Sequence, residues 1–494
     1  MLAFCTYYYI RYRRFLSDTP PGPKPLPFLG NIFDIPTEKY WVVYNEWSKE
    51  YNSELISVRA FGQLTIIINS ARAARELLGR RSSNYSDKPR LPMLELIGWD
   101  WNPGFMPYGE RWRVRRRLLH RGLNVNAVAT YYPVQVKHTK YFLAKLRRDP
   151  RSFVRHIKEL TAGLTLDIAY ALEDDACASD AHDGFQMLSD SLTPAAALVN
   201  AIPALKYVVE WLPMANYHAF AERSRQLCHR IRYDSLTKVK RQVADGTARP
   251  SLTLSMLNSS EGRDEEAVAD VAGVIFGGES NTSTASAIHA GLQALALHPD
   301  VQRRAQAEID AVVGRDRLPG HEDMPSLPYA TAICREILRW HAVGPLGAPR
   351  AAIDDDVYDG WLIPAGSTIL WNAWAISHDP ETYPNPNAFI PERFLDENGQ
   401  LNGKEEDTNF GYGRRECVGI HFAKATLWVT IASMLSIFNL FKAKDEQDNE
   451  IEISTERTTG LASHPVPFVC DIRVRDDNAE ELLDSLTLAA EAES

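Results

Sequence analysis

The chain has 494 residues, 45% of them hydrophobic, which is material for a large core in either about three domains or one large one. A net charge of −10 excludes a general nucleic-acid binder, which needs a basic surface against phosphate. Its six cysteines, Cys5, Cys177, Cys228, Cys334, Cys417 and Cys470, are too scattered for a disulfide framework or a zinc-type spacing and suit a reducing compartment.

Residues 1–10 are apolar and aromatic, Arg11, Arg13 and Arg14 follow, and Pro20-Pro21-Gly22-Pro23-Lys24-Pro25 stiffens what comes next. Ten residues are too few for a spanning helix, which takes about 20. Residues 1–19 therefore read as a short interfacial anchor, with a frayed terminus as the alternative, and 20–36 as a proline-rich hinge. Glu54 to Asn69 reads as a hairpin turning at Phe61-Gly62-Gln63, and Ser70 to Leu78 as a short helix. In Glu110 to Arg121, Trp112 and Arg116 are four apart and share one helical face. Arg111, Arg113, Arg115, Arg117 and Arg121 cannot all point inward and make a basic patch, either solvated or facing a partner. Phe153 to Leu172 is helical in pattern, Asp174 to Asp183 reads as a solvated acidic loop, and Pro203 to Pro213 carries a mixed Leu, Val and Trp surface. Glu265 to His298 is a long Ala- and Gly-rich helix closed by Pro299. Tyr329 to Trp340 is a helix in which Glu336 and Arg339, three apart, can pair. Asp354 to Ser367 reads as strand, turn, strand; Ile420 to Phe441 as a buried helix; and residues 476–494 as an acidic solvated tail.

The most informative stretch is Phe410-Gly411-Tyr412-Gly413-Arg414-Arg415-Glu416-Cys417-Val418-Gly419. A lone cysteine stands two residues after an arginine, is bracketed by glycines and leads into an apolar helix. A helix N-terminus, a nearby arginine and backbone N–H groups all favour thiolate, and Gly413 and Gly419 permit close backbone approach. The bland alternative is a buried cysteine in a glycine-rich turn. The pattern Phe-x-x-Gly-x-Arg-x-Cys-x-Gly is filled at every position and resembles the haem-binding loop of the cytochrome P450 family, most closely its fungal microsomal members of secondary metabolism.

That resemblance implies a mainly α fold with small β-sheets (α+β), a single catalytic domain over 37–475, and haem b ligated by Cys417. It places Trp112, Arg116, Arg350 and Arg415 at the haem carboxylates, with Phe410, Gly413 and Gly419 shaping the loop. Glu336, Arg339 and Arg393, the last in Pro391-Glu392-Arg393-Phe394, resemble the family's structural ion triad. On the oxygen side the chain departs from the family. Phe276-Gly277-Gly278-Glu279-Ser280-Asn281-Thr282 puts Ser280 in the place of the acid, Asn281 in that of the first threonine and Thr282 in that of the second, while Glu279 falls one position early. Substrate contacts implied are Leu94 and Leu96 with Met93 in the Arg90–Pro107 segment, Gly278 at the oxygen notch, Val343, Leu346 and Ala348 past the helix, and Leu461 at the tip of Thr458 to Ala462; core packing is the alternative at each. The implied reaction is oxidation of an apolar small molecule, a terpenoid or polyketide, by O2 with electrons from NADPH through NADPH–cytochrome P450 reductase. The implied location is the endoplasmic reticulum membrane surface, with the catalytic domain facing the cytosol. The atypical relay admits a rival, a peroxide-using oxidase, isomerase or dehydratase, and a third reading is a non-catalytic haem-binding protein.

Overall fold

In the computed structural model, residues 18–172, 175–192, 216–259, 264–280, 283–405 and 407–493 are described, and the Pro203 to Pro213 surface lies outside them. Helix α1 (Tyr40–Glu50) leads into a hairpin of β1 (Leu55–Ala60) and β2 (Gln63–Ile68). Phe61 and Gly62 take left-handed φ values of 48° and 86°, as a tight two-residue hairpin turn requires. This fixes the register from Ala60 opposite Gln63 to Leu55 opposite Ile68. Ile66, Ile67 and Ile68 are wholly buried because β2 is an inner strand. Ser70 accepts a hydrogen bond from the Ala73 N–H and caps the short helix that follows.

The helical body comprises α2 (Glu110–Leu123), α3 (Tyr132–Arg148), α4 (Phe153–Tyr170), α5 (Asp175–Ser191), α6 (Asn216–Ala244), α7 (Glu265–Ser280), α8 (Ser283–Leu297), α9 (Pro299–Val312) and α10 (Pro328–Trp340). The long helix expected at Glu265 to His298 appears as α7 and α8, with residues 281–282 outside those described. Its buried face goes all the way round: Ala267, Val268, Ala269, Val271 and Ala272 are each 0% exposed, the behaviour of a helix apolar on every side. Strands β3 (Arg350–Ala351), β4 (Asp356–Tyr358), β5 (Trp361–Ile363) and β6 (Thr368–Trp371) follow. The main sheet has the order β1-β2-β6-β3, with β6 parallel to β2, while β4 and β5 form the expected strand pair. After α11 (Ile420–Ile437), β7 (Phe438–Lys442) pairs antiparallel with β8 (Cys470–Val474), and α12 (Asp477–Glu493) ends the chain. Among the described helices α11 alone is long and apolar enough to cross a membrane, yet most of it is buried in this core.

Three expectations change. Asp174 to Asp183 is not a solvated loop: α5 begins at Asp175, and its acids face arginines of α6, Asp180 with Arg230 at 2.6 and 2.7 Å and Asp183 with Arg223 at 3.1 Å. The helix expected to reach Phe441 ends at Ile437, since Phe438 and Leu440 alternate into the sheet. Residues 476–494 are not a solvated tail. Ala479 and Leu483, four apart, are 3% and 1% exposed in the main core, and Arg147 holds Glu480 and Asp484 outside it. Acidic composition concealed an apolar stripe at helical spacing. Leu483→Ala is expected to lower unfolding free energy in urea by about 2–5 kcal/mol; an unchanged midpoint would restore the solvated-tail reading.

Candidate functional site

A cavity of about 1050 Å³ is lined by α2, α4, α5, α7, α8, the segment around Pro103, the cysteine loop and the turn at 458–467. The cysteine loop is built by backbone geometry. Gly411 and Gly413 take φ of 79° and 58°, and a Cβ on Gly413 would lie 2.6 Å from the Leu78 carbonyl oxygen. The Cys417 N–H donates to the Phe410 carbonyl at 2.7 Å and the Glu416 N–H to that of Gly413 at 3.0 Å, closing the turn. Gly419 then caps α11. The thiol of Cys417 is exposed to the cavity just before the positive end of that helix.

Four cations surround this loop. Arg116 donates to the Glu416 carbonyl at 2.6 Å. Arg415 donates to the carbonyls of Ser86, Pro103 and Met106 at 2.7, 3.2 and 2.8 Å, with its guanidinium 4.1 Å from the Trp112 ring centre. Arg350, 1% exposed, donates to the carbonyls of Tyr412 at 2.7 Å and Leu78 at 3.3 Å, and its Nε has no partner. Lys88, 7% exposed, donates to the Pro349 carbonyl at 2.8 Å. Burial pushes the Arg415 and Arg350 guanidinium groups down to about 9 and about 10, with Arg350 and Arg116 repelling Arg415 and Arg116 repelling Arg350. Burial also lowers Arg116, against the pull of Cys417 and Glu416, and it lowers Lys88 well below the ordinary lysine range, helped by Arg415 and Arg350.

Among the described residues none of the four forms an ion pair, and the acid whose charge acts on both Lys88 and Arg415 is Asp87. Cations held by carbonyls and aromatic rings beside a cavity, with Arg350 and Lys88 buried, are complementary to a bound anion. Two carboxylates on a planar group ligated by Cys417 answer that demand, so the donor set fits haem. No group of three or more His, Cys, Asp or Glu side chains suited to a metal occurs among the described residues.

Neighbouring ion networks hold the parts. The expected basic patch on α2 is largely neutralised, because arginines at every second position spread around the helix and meet acids. Arg115 is 2% exposed and reaches Asp270 on α7, itself 0% exposed, at 2.6 Å. Arg111 pairs with Glu266 at 3.0 Å, and Arg113 and Arg117 pair with Glu110 at 3.0 and 3.4 Å. On α10, Arg339 makes a two-point contact with Glu336 at 2.7 and 2.8 Å, and Arg393 joins the same carboxylate at 3.1 Å. Glu336 and Arg339 are 0% exposed, and the Ile390 N–H adds a further bond to Glu336 at 2.8 Å. Asn409 donates to the Leu338 carbonyl at 2.6 Å, tying α10 directly to the cysteine loop.

Trp112, Arg116, Phe410, Arg415, Cys417, Gly419, Val343 and Leu461 all line the cavity, while Gly413 and Arg350 stand behind its wall. Ala348 lines it too. Leu94 and Met93 do not: they pack in a core with Trp99 and Trp101, and Leu96 packs against that core. Leu346 packs against Val58 and Ile67 under the sheet. All four sit on short segments with no periodicity to fix their direction. Gly278, Glu279 and Ser280 end α7, and Asn281 and Thr282 lie outside the described residues. Gly277 accommodates the Phe185 ring, since a Cβ there would lie 2.1 Å from it. Sequence reasoning missed Lys88, which no pattern marks, and also Lys158, His182, His289 and His464, brought to the cavity by α4, α5, α8 and the 458–467 turn.

The family model described as Cytochrome P450 matches residues 20–471. The chain is 38% identical to cytochrome P450 monooxygenase ple1 of Rhodocybe pseudopiperita, over 94% of this chain and 91% of that protein. It is 35% identical to tryptamine 4-monooxygenase of Psilocybe cyanescens, over 99% and 98% respectively. It is also 38% identical to cytochrome P450 monooxygenase claR of Ampulloclitocybe clavipes, over 94% and 88%. Glu336→Ala would leave two buried guanidinium groups without their carboxylate and is expected to cost about 3–5 kcal/mol of stability. Urea unfolding measures this, and a loss below about 1 kcal/mol would deny the network its structural role.

Proposed function

Because the chain belongs to the cytochrome P450 family, we propose that it is a haem-thiolate monooxygenase that oxidises an apolar small molecule with O2. Its electrons come from NADPH through NADPH–cytochrome P450 reductase. The observation that carries this reading is the Cys417 thiol facing a cavity behind which four cations lack carboxylate partners. In this reading Cys417 would ligate haem b, the Trp112 indole would orient its carboxylates, and Arg116, Arg350, Arg415 and Lys88 would hold and neutralise them. Phe410, Gly413 and Gly419 shape the loop so that the sulfur is held apart from bulk water. The bound haem supplies binding and reductive activation of dioxygen, with the thiolate favouring O–O cleavage.

The chain's own residues do the rest. Val343, Ala348 and Leu461 present apolar surface to the substrate beside Phe105 and Leu119, which also line the cavity. Glu279, Ser280, Asn281 and Thr282 are assigned to proton delivery near Gly278, with the Asn281 amide holding a water rather than titrating. The substrate class proposed is a fungal secondary metabolite such as a terpenoid or polyketide, supported by likeness to fungal monooxygenases. Residues 1–19 are proposed as the anchor, 20–36 as the hinge and 37–475 as the catalytic domain, placed on the cytosolic face of the endoplasmic reticulum. Phe28 and Phe33, 95% and 79% exposed, support a lipid-facing position for the hinge.

Reduced protein under carbon monoxide is expected to show the red-shifted thiolate Soret band; Cys417→Ala should abolish it and Cys470→Ala should keep it. Product should require both NADPH and reductase, and product formed without them would favour the peroxide, isomerase or dehydratase alternative. Asn281→Ala is expected to raise NADPH consumed per product by roughly tenfold, and unchanged coupling would remove Asn281 from the relay.

A further inference from the structure

The cavity carries a second group of basic side chains, apart from those beside Cys417. Lys158 from α4, His182, Gln186 and Ser189 from α5, His289 from α8 and His464 from the 458–467 turn all line it. Among the described residues Glu416, beside the cysteine, is the one acid lining this cavity. The Lys158 ammonium makes no hydrogen bond or ion pair with any described residue, although its carbonyl accepts from Thr161. His289 is 7% exposed and stacks on Phe468 with ring centres 5.1 Å apart, and its Nε2 has no hydrogen-bond partner.

The two groups stand on different elements: α4, α5, α8 and the 458–467 turn here, and α2, the cysteine loop, Lys88 and Arg350 around Cys417. The basic side chains felt by His289 are His464, Arg457 and Lys158, and those felt by His464 are Lys158 and His182. Arg350 and Arg415 feel each other, Arg116 or groups beside the cysteine loop instead. Burial lowers His182, His289 and His464, and Lys158 is the one lysine or arginine lining this wall. Asp183 is the acid that reaches His182, and it is already paired with Arg223 at 3.1 Å. An ammonium paired with no described acid, among imidazole side chains that line the same cavity, favours an anionic acceptor and penalises a cation. At 1050 Å³ the cavity exceeds the usual range for one small ligand, so haem and a substrate fit together.

We propose that the substrate is an organic acid: an apolar skeleton whose carboxylate is anchored by Lys158 and His289, with His464 and Ser189 as supporting donors. This rests on the monooxygenase reading and names the substrate class of the same site. It also separates this chain from an amine-directed pocket, because an alkylammonium group would meet Lys158 with no described acid on that wall to receive it.

The test uses full-length haem-loaded protein and a series of straight-chain carboxylic acids, each compared with its methyl ester and the primary amine of equal length, by equilibrium dialysis. The best-fitting acid should bind at least about tenfold tighter than its ester, the value of one charge-assisted hydrogen bond, and the amine should bind weakest. Lys158→Met should bring acid affinity down to that of the ester with ester affinity unchanged, and Lys158→Arg should keep the preference. The proposal is overturned if no acid in the series outbinds its ester, or if Lys158→Met retains the preference. The reduced carbon monoxide spectrum of the same preparation separates the two claims. A thiolate band without acid preference removes only the substrate assignment, and acid preference without the band removes only the monooxygenase reading.

Discussion

Uncompensated positive charge beside Cys417 is the constraint from which the rest of the architecture follows. Taking a guanidinium or ammonium out of water costs of the order of several kcal/mol per ion even after relaxation. Lys88, Arg116, Arg350 and Arg415 recover part of this through carbonyl oxygens, and Arg350 and Arg415 also through the Trp371 and Trp112 rings. Nearby, Arg115 and Arg339 each have a carboxylate within 2.7 Å. These two sets of cations differ: Arg115 and Arg339 are paired with acids, whereas those around the cavity have no described carboxylate partner.

The paired set keeps the unpaired one in place. Asp270 ties α7 to α2 through Arg115 and to α6 through Arg232 at 2.5 Å, so the helix bearing Trp112 and Arg116 cannot drift from the central helix. Burial raises the Asp270 carboxyl, and the two guanidinium groups oppose that rise. Glu336 performs the equivalent task below the cysteine loop. Its two arginines also bind the carbonyls of Ser377, Pro384 and Pro386, so one carboxylate organises α10 and the segment approaching Phe410. The Trp371 indole donates to the Thr408 carbonyl at 3.1 Å, and this adds the sheet to the same frame.

Much of this was legible in the sequence, because the cysteine loop, the Trp112 and Arg116 pair, and Glu336 with Arg339 are local patterns whose spacing implies a shared face. The hairpin at Phe61-Gly62 was legible for the same reason. What escaped was non-local. Lys88 is positioned by Pro349, 261 residues away. The inward turn of Arg115 depends on Asp270, 155 residues on, and nothing in a run of alternating arginines shows which one will be matched. The C-terminal helix was hidden by acidic composition, while its apolar residues fell at a spacing that composition does not record. Leu94 and Leu96, on a helix of only six residues, and Leu346 were placed by analogy, and there neighbouring cores at Trp99 and Ile67 decided their direction.

The wall of Lys158 and His289 extends the same logic across the cavity, since both positive groups await an anion and differ in which one. For the first group the account makes a direct demand. Apoprotein reconstituted with haem and with haem dimethyl ester should differ in affinity by at least about 100-fold in favour of the free acid, as expected for losing two charge-assisted contacts in a buried site. Equal affinity for the two would contradict the claim that these four cations exist to hold the carboxylates of a haem at Cys417.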